Sequence, residues 1–238
     1  MKNLLTKAIN FAKVKHEGQT RKGSNIPYIT HIVAVAKILE EENADIKTII
    51  VGVLHDTLED TNTTIDELTD IFGVEIAYMV DTLSEKKSLK YEDRKHMQAL
   101  RVKYAEKRIK MVKCADCLSN LRDTQAQLNT PNFWSRFNAP KEIIAKHYLE
   151  AIEAIEELQG TKMYNELKML YEQIFTTKKI TRYCTDCIHM DRITTPDPYD
   201  WFCDDDQRYV CKISGKTLSE ANRPYEKQPT PPDCPLER

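Results

Sequence analysis

The first 180 residues carry the hydrophobic spacing of α-helices. Leu5, Ile9 and Ala12 recur at intervals of three to four, which places them on one face of an opening helix. A wider apolar face runs through residues 45–60, and no alternating strand pattern lasts more than a few residues before position 180. The pattern predicts an all-α domain, with further helices over about residues 30–42, 45–60, 63–71, 73–83, 91–104, 106–125, 140–158 and 161–178.

Residues typical of helix ends stand at several of these boundaries. Thr30 is the predicted N-cap of the second helix. The other residues at expected starts or stops are Asp45, Thr63, Gly73 and Pro140.

Proline and cysteine usage changes sharply near residue 180. Residues 181–238 hold seven of the ten prolines and five of the seven cysteines, and they show no helical period longer than about two turns. A segment of this size would not bury enough apolar area to fold alone. We therefore expect two domains, a helical one over residues 1–180 and a Cys-rich module over residues 181–238.

Charge and hydropathy limit the classes of function. The 35 lysines and arginines balance 37 aspartates and glutamates, so the net charge is −2, which excludes nucleic-acid coating through bulk positive charge. No run approaches the roughly 18 apolar residues that a membrane span requires, and lysines interrupt the apolar pattern of the N-terminus. We expect a soluble, cytoplasmic protein.

Four residues of the helical part are candidate metal ligands, and two of them are adjacent. His55 and Asp56 lie at the end of an apolar helical face, where an unpaired buried charge would be costly. A lone histidine in such a place is often structural, and a His-Asp dipeptide arises readily by chance. The four candidates are His31, His55, Asp56 and Asp116.

Longer motifs around these residues carry a family resemblance. The segments His16–Gly23 with Pro27–His31, Leu54–Thr61 and Lys113–Asp123 occur in order in a helical setting. In these motifs the chain resembles the HD-domain metal-dependent phosphohydrolases, and more narrowly the ppGpp hydrolase domain of RelA/SpoT-type enzymes in its small, hydrolase-only form. The resemblance covers about residues 1–160 and implies an HD-domain helical bundle.

The resemblance also implies a metal site and an acidic pair. Glu59 and Asp60 match the pair that orients or deprotonates the attacking water, and on one helix they would lie at i, i+4 from His55 and Asp56. The alternative is that both carboxylates form a solvated helix end. A single divalent metal, usually Mn²⁺, would be held by His31, His55, Asp56 and Asp116.

Substrate contacts follow from the same resemblance. Arg21 and Lys22 match the basic pair at the guanine end of the pocket, although a solvated basic turn is the alternative. Asn120, which shares a helix face with Asp116, is implied to lie near the ribose or a phosphate. Lys113 and Arg122 flank the same helix and are candidate contacts for pyrophosphate oxygens.

A cysteine and a serine distinguish this chain from the family pattern. Cys117 and Ser119 stand where the family usually has Arg and His, which weakens the inference about the nucleotide. Cys114 and Cys117 have the spacing of a redox C-x-x-C, but they fall inside a helix. We expect them to be buried free thiols.

The cysteines of residues 181–238 predict a structural zinc site. Four thiolates complete a tetrahedron around Zn²⁺, so one of the five cysteines is left over. Cys203 is the expected outsider, and His189 is a less favoured substitute ligand. Unbound cysteines in a disordered tail, or an iron–sulfur cluster, are the alternatives. The predicted ligands are Cys184, Cys187, Cys211 and Cys234.

These observations lead to one main hypothesis and two alternatives. The main one is a Mn²⁺-dependent 3′-pyrophosphohydrolase that converts ppGpp or pppGpp to GDP or GTP and pyrophosphate. The first alternative is an HD phosphohydrolase that acts on another nucleotide. The second is a non-catalytic, alarmone-binding regulator whose Cys-rich tail binds a protein partner, since the acidic tail disfavours nucleic acid.

Overall fold

The computed structural model of the protein describes residues 2–176 and the backbone of three strands between residues 190 and 220. The chain divides into two compact units, Met1–Thr177 and Lys178–Arg238, which are described separately.

The described part of the first unit is helical, as the hydrophobic spacing predicts. Two short 3-10 helices, Phe133–Arg136 and Glu156–Leu158, precede and follow the ninth α-helix. The α-helices are α1 (Lys2–Lys15), α2 (Ile29–Glu41), α3 (Ile46–Leu54), α4 (Thr57–Asp60), α5 (Ile65–Phe72), α6 (Val74–Leu83), α7 (Tyr91–Lys103), α8 (Lys107–Gln127), α9 (Lys141–Ala154) and α10 (Lys162–Phe175).

The predicted single helix over residues 45–60 is wrong, because the chain turns at His55 and Asp56. The hydroxyl of Thr57 donates to the Leu54 carbonyl at 2.6 Å, and His55 Nδ1 lies 2.8 Å from the Gly52 carbonyl. In a continuous helix those carbonyls would accept from backbone N–H groups further along the chain. Side chains that compete for the carbonyls therefore end α3, and α4 starts afresh.

Most other helix boundaries lie within one or two residues of the expected positions, but α9 and α10 end four and three residues before the expected 158 and 178. Asp45 caps α3, where its carboxylate accepts from Lys47 N and Thr48 N. Thr30 is not an N-cap: α2 begins at Ile29, and the Thr30 hydroxyl donates to a backbone carbonyl at 2.8 Å. The cap of α5 is Thr64, one residue after the expected Thr63, because its side chain accepts from the third N–H of the helix.

The core of this unit is centred on α8, which packs against α2, α3 and α10. Burying each large apolar side chain there stabilises the fold by about 1.5–3 kcal/mol. Gly52 lets α3 approach α2 closely, since a Cβ at this position would clash with Leu39. Completely buried members of the core include Leu39, Ile50, Leu54, Leu118 and Leu121.

The second unit contains a small antiparallel sheet. Its strands are β1 (Met190–Thr195), β2 (Asp206–Cys211) and β3 (Thr217–Glu220), in the order β1-β2-β3. In the register Met190 pairs with Cys211 and Thr195 with Asp206. The side chains proposed for zinc lie outside the described residues, as do Cys203 and His189, so the zinc module remains a prediction.

Among the helices that the structure describes, none combines the length and the apolarity needed to cross a bilayer.

Candidate metal centre and adjoining cavity

Three helices bring histidine and aspartate side chains to one point. His31 comes from α2, His55 from the end of α3 and Asp116 from the middle of α8, and their potential ligand atoms all lie within 4.8 Å of one another. The Asp116 Oδ1 atom is 3.4 Å from His31 Nε2 and 3.7 Å from His55 Nε2. In the described part of the chain, this is the group with the geometry of a metal site.

Asp56 joins the same group. Its Oδ2 atom lies 2.9 Å from His55 Nε2 and 3.7 Å from His31 Nε2. The turn between α3 and α4 makes this possible, because it lets the side chains of two consecutive residues, His55 and Asp56, reach the same point. All four residues named as metal ligands in the sequence are therefore adjacent in space.

The orientation of the His55 ring is suited to metal binding. Its Nδ1 atom faces the Gly52 carbonyl at 2.8 Å, and a carbonyl can only accept, so Nδ1 carries the proton of the neutral ring. The lone pair of Nε2 then points into the group. This Nε2 atom is buried without a hydrogen bond of regular geometry, although Asp56 Oδ2 lies 2.9 Å away. The Asp56 and Asp116 carboxylates raise the pKa of His55 well above its ordinary value against burial, so a metal ion would take the place of a proton at Nε2.

Neighbouring side chains hold the other ligands in place. The hydroxyl of Tyr28 donates to Asp56 Oδ2 at 2.5 Å, and His31 Nδ1 lies 2.9 Å from Ser119 Oγ. Asn120 Nδ2 donates to Asp116 Oδ1 at 2.7 Å, and Lys113 Nζ to Asp116 Oδ2 at 3.1 Å. These contacts restrict each ligand to one orientation, which is characteristic of a preorganised metal site.

The local charges keep the carboxylates ionised. Burial alone would raise the pKa of Asp116, but Lys113 and the two imidazoles outweigh it and hold that pKa well below its ordinary value. The His55 and His31 rings lower the pKa of Asp56 in the same way, against burial. Two imidazoles and two charged carboxylates suit a divalent transition metal ion, so the residues present fit such an ion.

The acidic pair of α4 has two different environments. Glu59 is half-buried, and its Oε2 atom accepts from the backbone N–H of Glu85 at 3.0 Å. Burial, with a further contribution from the charge of Glu85, raises the pKa of Glu59 to about 7. Asp60 is exposed and paired with Lys87 at 3.1 Å. The raised pKa of Glu59 suits proton exchange at neutral pH.

A cavity of about 380 Å³ adjoins the metal group. Asp116 and Tyr28 belong to both the cavity wall and the metal group, whereas Glu59 and Asp60 do not line the cavity. The rest of the wall comes from the loop before α2, from α7, α8 and α9, and from the residues around Arg136. A ligand in this cavity would therefore reach the metal group at one end.

Positive charge predominates in the cavity wall. Asp116 and Asp123 are its two carboxylates, against the five cations Arg21, Lys22, Lys95, Lys113 and Arg136. Within residues 3–176, Lys22 and Arg136 form no ion pair, and burial lowers the pKa of both. Uncompensated cations in a recess favour an anionic ligand.

The predicted substrate contacts are distributed unevenly. The Arg21 guanidinium donates to Asn120 Oδ1 at 2.7 Å and to Asp123 Oδ2 at 2.8 Å, and these two bonds hold it in one orientation in the cavity wall. Lys22, Lys113 and Asn120 also line the cavity. Arg122 does not: its guanidinium makes two 2.7 Å hydrogen bonds to Glu166, which tie α8 to α10.

Several residues of the site were not assigned a role from the sequence. Tyr28 and Ser119 contact metal-ligand candidates, and both fall within the quoted motifs, so the motifs could have pointed to them. Lys95 and Arg136 had no signal, because only packing brings them to the cavity. Cys114 and Cys117 are buried free thiols, as expected, and burial raises the pKa of Cys117 to about 11.

Fold and site define a class, a helical metalloprotein whose His and Asp ligands adjoin a cavity for an anionic ligand. A family model described as "HD domain" matches residues 8–135, and the chain belongs to the HD-domain family. An HD domain implies a divalent metal, in agreement with the His/Asp group. The resemblance drawn from the motifs is thus confirmed.

Curated relatives narrow the comparison. Guanosine-3′,5′-bis(diphosphate) 3′-pyrophosphohydrolase MESH1 of Danio rerio is 34% identical over 180 residues, which are 74% of this chain and 95% of that protein. The Homo sapiens protein of the same name is 36% identical over 174 residues, covering 71% and 93%. A solved structure titled "A metazoan ortholog of SpoT hydrolyzes ppGpp and plays a role in starvation responses" matches with a TM-score of 0.61 and 28% identity, covering 71% of this chain and 94% of that one.

Proposed function

We propose that this protein is a guanosine-3′,5′-bis(diphosphate) 3′-pyrophosphohydrolase, which hydrolyses ppGpp and pppGpp to pyrophosphate and GDP or GTP. The observation that carries the proposal is a His/Asp metal group that opens into a cavity with five cations and two carboxylates. A nucleotide with phosphates at both the 3′ and 5′ positions of the ribose carries the negative charge that complements this excess of cations. The names of the MESH1 relatives point to the same reaction.

We propose Mn²⁺ as the ion, held by His31, His55, Asp56 and Asp116. When bound, such an ion supplies a Lewis acid that polarises a phosphoryl oxygen and acidifies water. Tyr28, Ser119 and Asn120 keep the ligands oriented, and Lys113 adds positive charge beside Asp116.

Glu59 is the proposed proton acceptor. Because its pKa lies at about 7, a large fraction is ionised at neutral pH, and the Oε1 atom is not used by Glu85. In the proposed step Glu59 takes a proton from water as the water oxygen bonds to the phosphorus at the 3′ position. The bond from phosphorus to the ribose 3′ oxygen breaks, that oxygen takes up a proton, and pyrophosphate leaves. Asp60 supports the end of α4 through its pair with Lys87.

Arg21, Lys22 and Asn120 are the proposed nucleotide contacts, and Arg136, which also lines the cavity, joins them. Arg21 is already oriented by Asn120 and Asp123, so little side-chain entropy is lost on binding. Lys22 and Arg136 have no carboxylate partner within residues 3–176, which leaves them available to phosphate or guanine oxygens.

For residues 181–238 we propose a structural Zn²⁺ site formed by Cys184, Cys187, Cys211 and Cys234, with the domain boundary near residue 180. The support is compositional: five cysteines lie in a segment with little apolar core. This module is also the proposed docking point of a protein partner. The free thiols of Cys114 and Cys117 suit a reducing compartment, so we place the protein in the cytoplasm.

The test is pyrophosphate release from ppGpp, measured with and without Mn²⁺. We expect Mn²⁺-dependent release that is lost in His55→Ala and retained in His96→Ala, a matched change of a histidine whose side chain is 64% exposed. Turnover by His55→Ala at the wild-type rate would refute the assigned site. Failure of the wild-type protein on ppGpp, with turnover of another nucleotide from a panel, would replace the substrate.

A further inference from the structure

The segment that follows α6 touches Glu59 on one side and α7 on the other. The backbone N–H of Glu85 donates to Glu59 Oε2 at 3.0 Å. The Glu85 side chain is only 2% exposed, and its carboxylate is ion-paired with Arg94 at 2.9 Å and with Lys95. A buried carboxylate with two cations on one helix is anchored to that helix.

Helix α7 also holds the backbone that leads to Glu85. Gln98 donates to the carbonyl of Leu83, and Arg101 donates to the carbonyls of Asp81, at 3.0 Å, and Ser84. Side chains of α7 thus donate to two carbonyls in the last turn of α6 and to the carbonyl of Ser84, the residue just after α6. The position of the Glu85 N–H is therefore set by α7.

The same helix forms a wall of the cavity. Tyr91, Lys95 and Gln98 line the cavity, and of these Lys95 also contacts Glu85. A chain of direct contacts consequently runs from the cavity wall through Lys95 and Glu85 to the carboxylate of Glu59.

We propose that Glu85 is a positioning residue for Glu59: its buried pairs with Arg94 and Lys95 hold the N–H that orients the Glu59 carboxylate. This inference rests on the proposed function, in which Glu59 accepts the proton of the attacking water. Glu85 itself touches neither the cavity nor the metal group in the described structure.

The charge of Glu85 acts on Glu59 as well. Beside burial, the negative charge of Glu85 raises the pKa of Glu59 and Asp56 adds to this increase, whereas the Glu85 N–H, by a smaller amount than the Glu85 charge, and Lys95 oppose it. Removing the Glu85 charge should therefore lower the Glu59 pKa, whereas removing a cation that neutralises Glu85 should raise it. Loss of Arg94 also loosens the Glu85 N–H, and that loosening raises the Glu59 pKa as well, so both effects have the same sign in Arg94→Met.

The first test is the pH profile of ppGpp hydrolysis by Glu85→Gln, which keeps the side-chain shape and removes the ion pairs. We expect kcat to fall about tenfold with KM within threefold, because the loosened carboxylate loses part of the contribution of a general base. We also expect the acid limb of the kcat profile to move to lower pH. Glu75→Gln, which alters an exposed pair on α6, should match the wild type. A Glu85→Gln profile and kcat equal to those of the wild type would overturn the proposal.

The second test needs no turnover. The carboxyl ¹³C titration of Glu59 in the metal-free protein should shift to lower pH in Glu85→Gln and to higher pH in Arg94→Met. If Glu85→Gln fails to fold, the shift in Arg94→Met decides, and no shift there refutes the positioning role. If the wild-type protein does not hydrolyse ppGpp, the proposed function fails, and the titration alone still decides whether Glu85 controls Glu59.

Discussion

Ser119 offers a direct test of how the metal group is organised. His31 Nδ1 lies 2.9 Å from Ser119 Oγ, and the His31 side chain is 1% exposed. For His31 Nε2 to bind a metal, Nδ1 must carry the proton and donate to the hydroxyl. Ser119→Ala would leave that N–H buried without a partner, at a cost of about 1–3 kcal/mol.

The same change predicts a weaker metal site. Loss of a contact that orients a metal-binding histidine lowers metal affinity about 10–100-fold, or about 1.4–2.7 kcal/mol, which agrees with the cost of the unpaired N–H. Calorimetric titration with Mn²⁺ should show this increase in Kd, and saturating Mn²⁺ should restore most of the kcat.

Ser135→Ala is the matched control, because the Ser135 hydroxyl donates to the Asn132 carbonyl at 2.7 Å in an exposed turn. Its Kd for Mn²⁺ should stay within twofold of the wild type. An unchanged Kd in Ser119→Ala would refute the reasoning. The proton would then sit on His31 Nε2, and His31 would not be a ligand.

The remaining predictions concern the base, the cavity and the ion. Glu59→Gln should lower kcat about 100-fold, and the wild-type kcat should rise with pH through about 7, because only the ionised carboxylate accepts a proton. The pKa of Glu59 is about 7 in the folded state against an ordinary 4.5, so the folded protein holds this proton more tightly. The free energy of unfolding of the metal-free wild type should therefore fall by roughly 3 kcal/mol as pH rises from 4.5 to 7. Urea unfolding should show this fall in the wild type and not in Glu59→Gln. Lys22→Met should raise KM for ppGpp about tenfold, a weakening of about 1.4 kcal/mol, whereas Arg122→Met, which only frees Glu166, should leave KM within twofold. Dialysis against EDTA should abolish pyrophosphate release, and added Mn²⁺ should restore it.

Helical periodicity predicted most of the first unit, and spacing predicted part of the site. Asp116 and Asn120 were expected on one face of a helix, and their side chains meet at 2.7 Å. The same rule failed at His55 and Asp56, where a continuous helix was expected. There the His55 ring and the Thr57 hydroxyl compete for backbone carbonyls, and periodicity carries no information about such competition.

The basic residues show why a cavity is harder to predict than a helix. Arg122 belongs to a recognised motif, yet Glu166, more than forty positions later, accepts two hydrogen bonds from one edge of its guanidinium. Arg136 belongs to no motif, yet it lines the cavity without a carboxylate partner in the described residues. The difference arises from which side chains tertiary packing brings together.

Pairing also explains how a chain with a net charge of −2 can present a cationic cavity. Arg21 is neutralised by Asp123, Lys113 by Asp116 and Lys95 by Glu85. Each of these pairs holds a cation in one orientation and partly neutralises its charge, so the cation attracts a bound anion less strongly. Affinity for an anion should therefore depend mainly on Lys22 and Arg136, which form no ion pair within residues 3–176, while the paired cations orient what is bound.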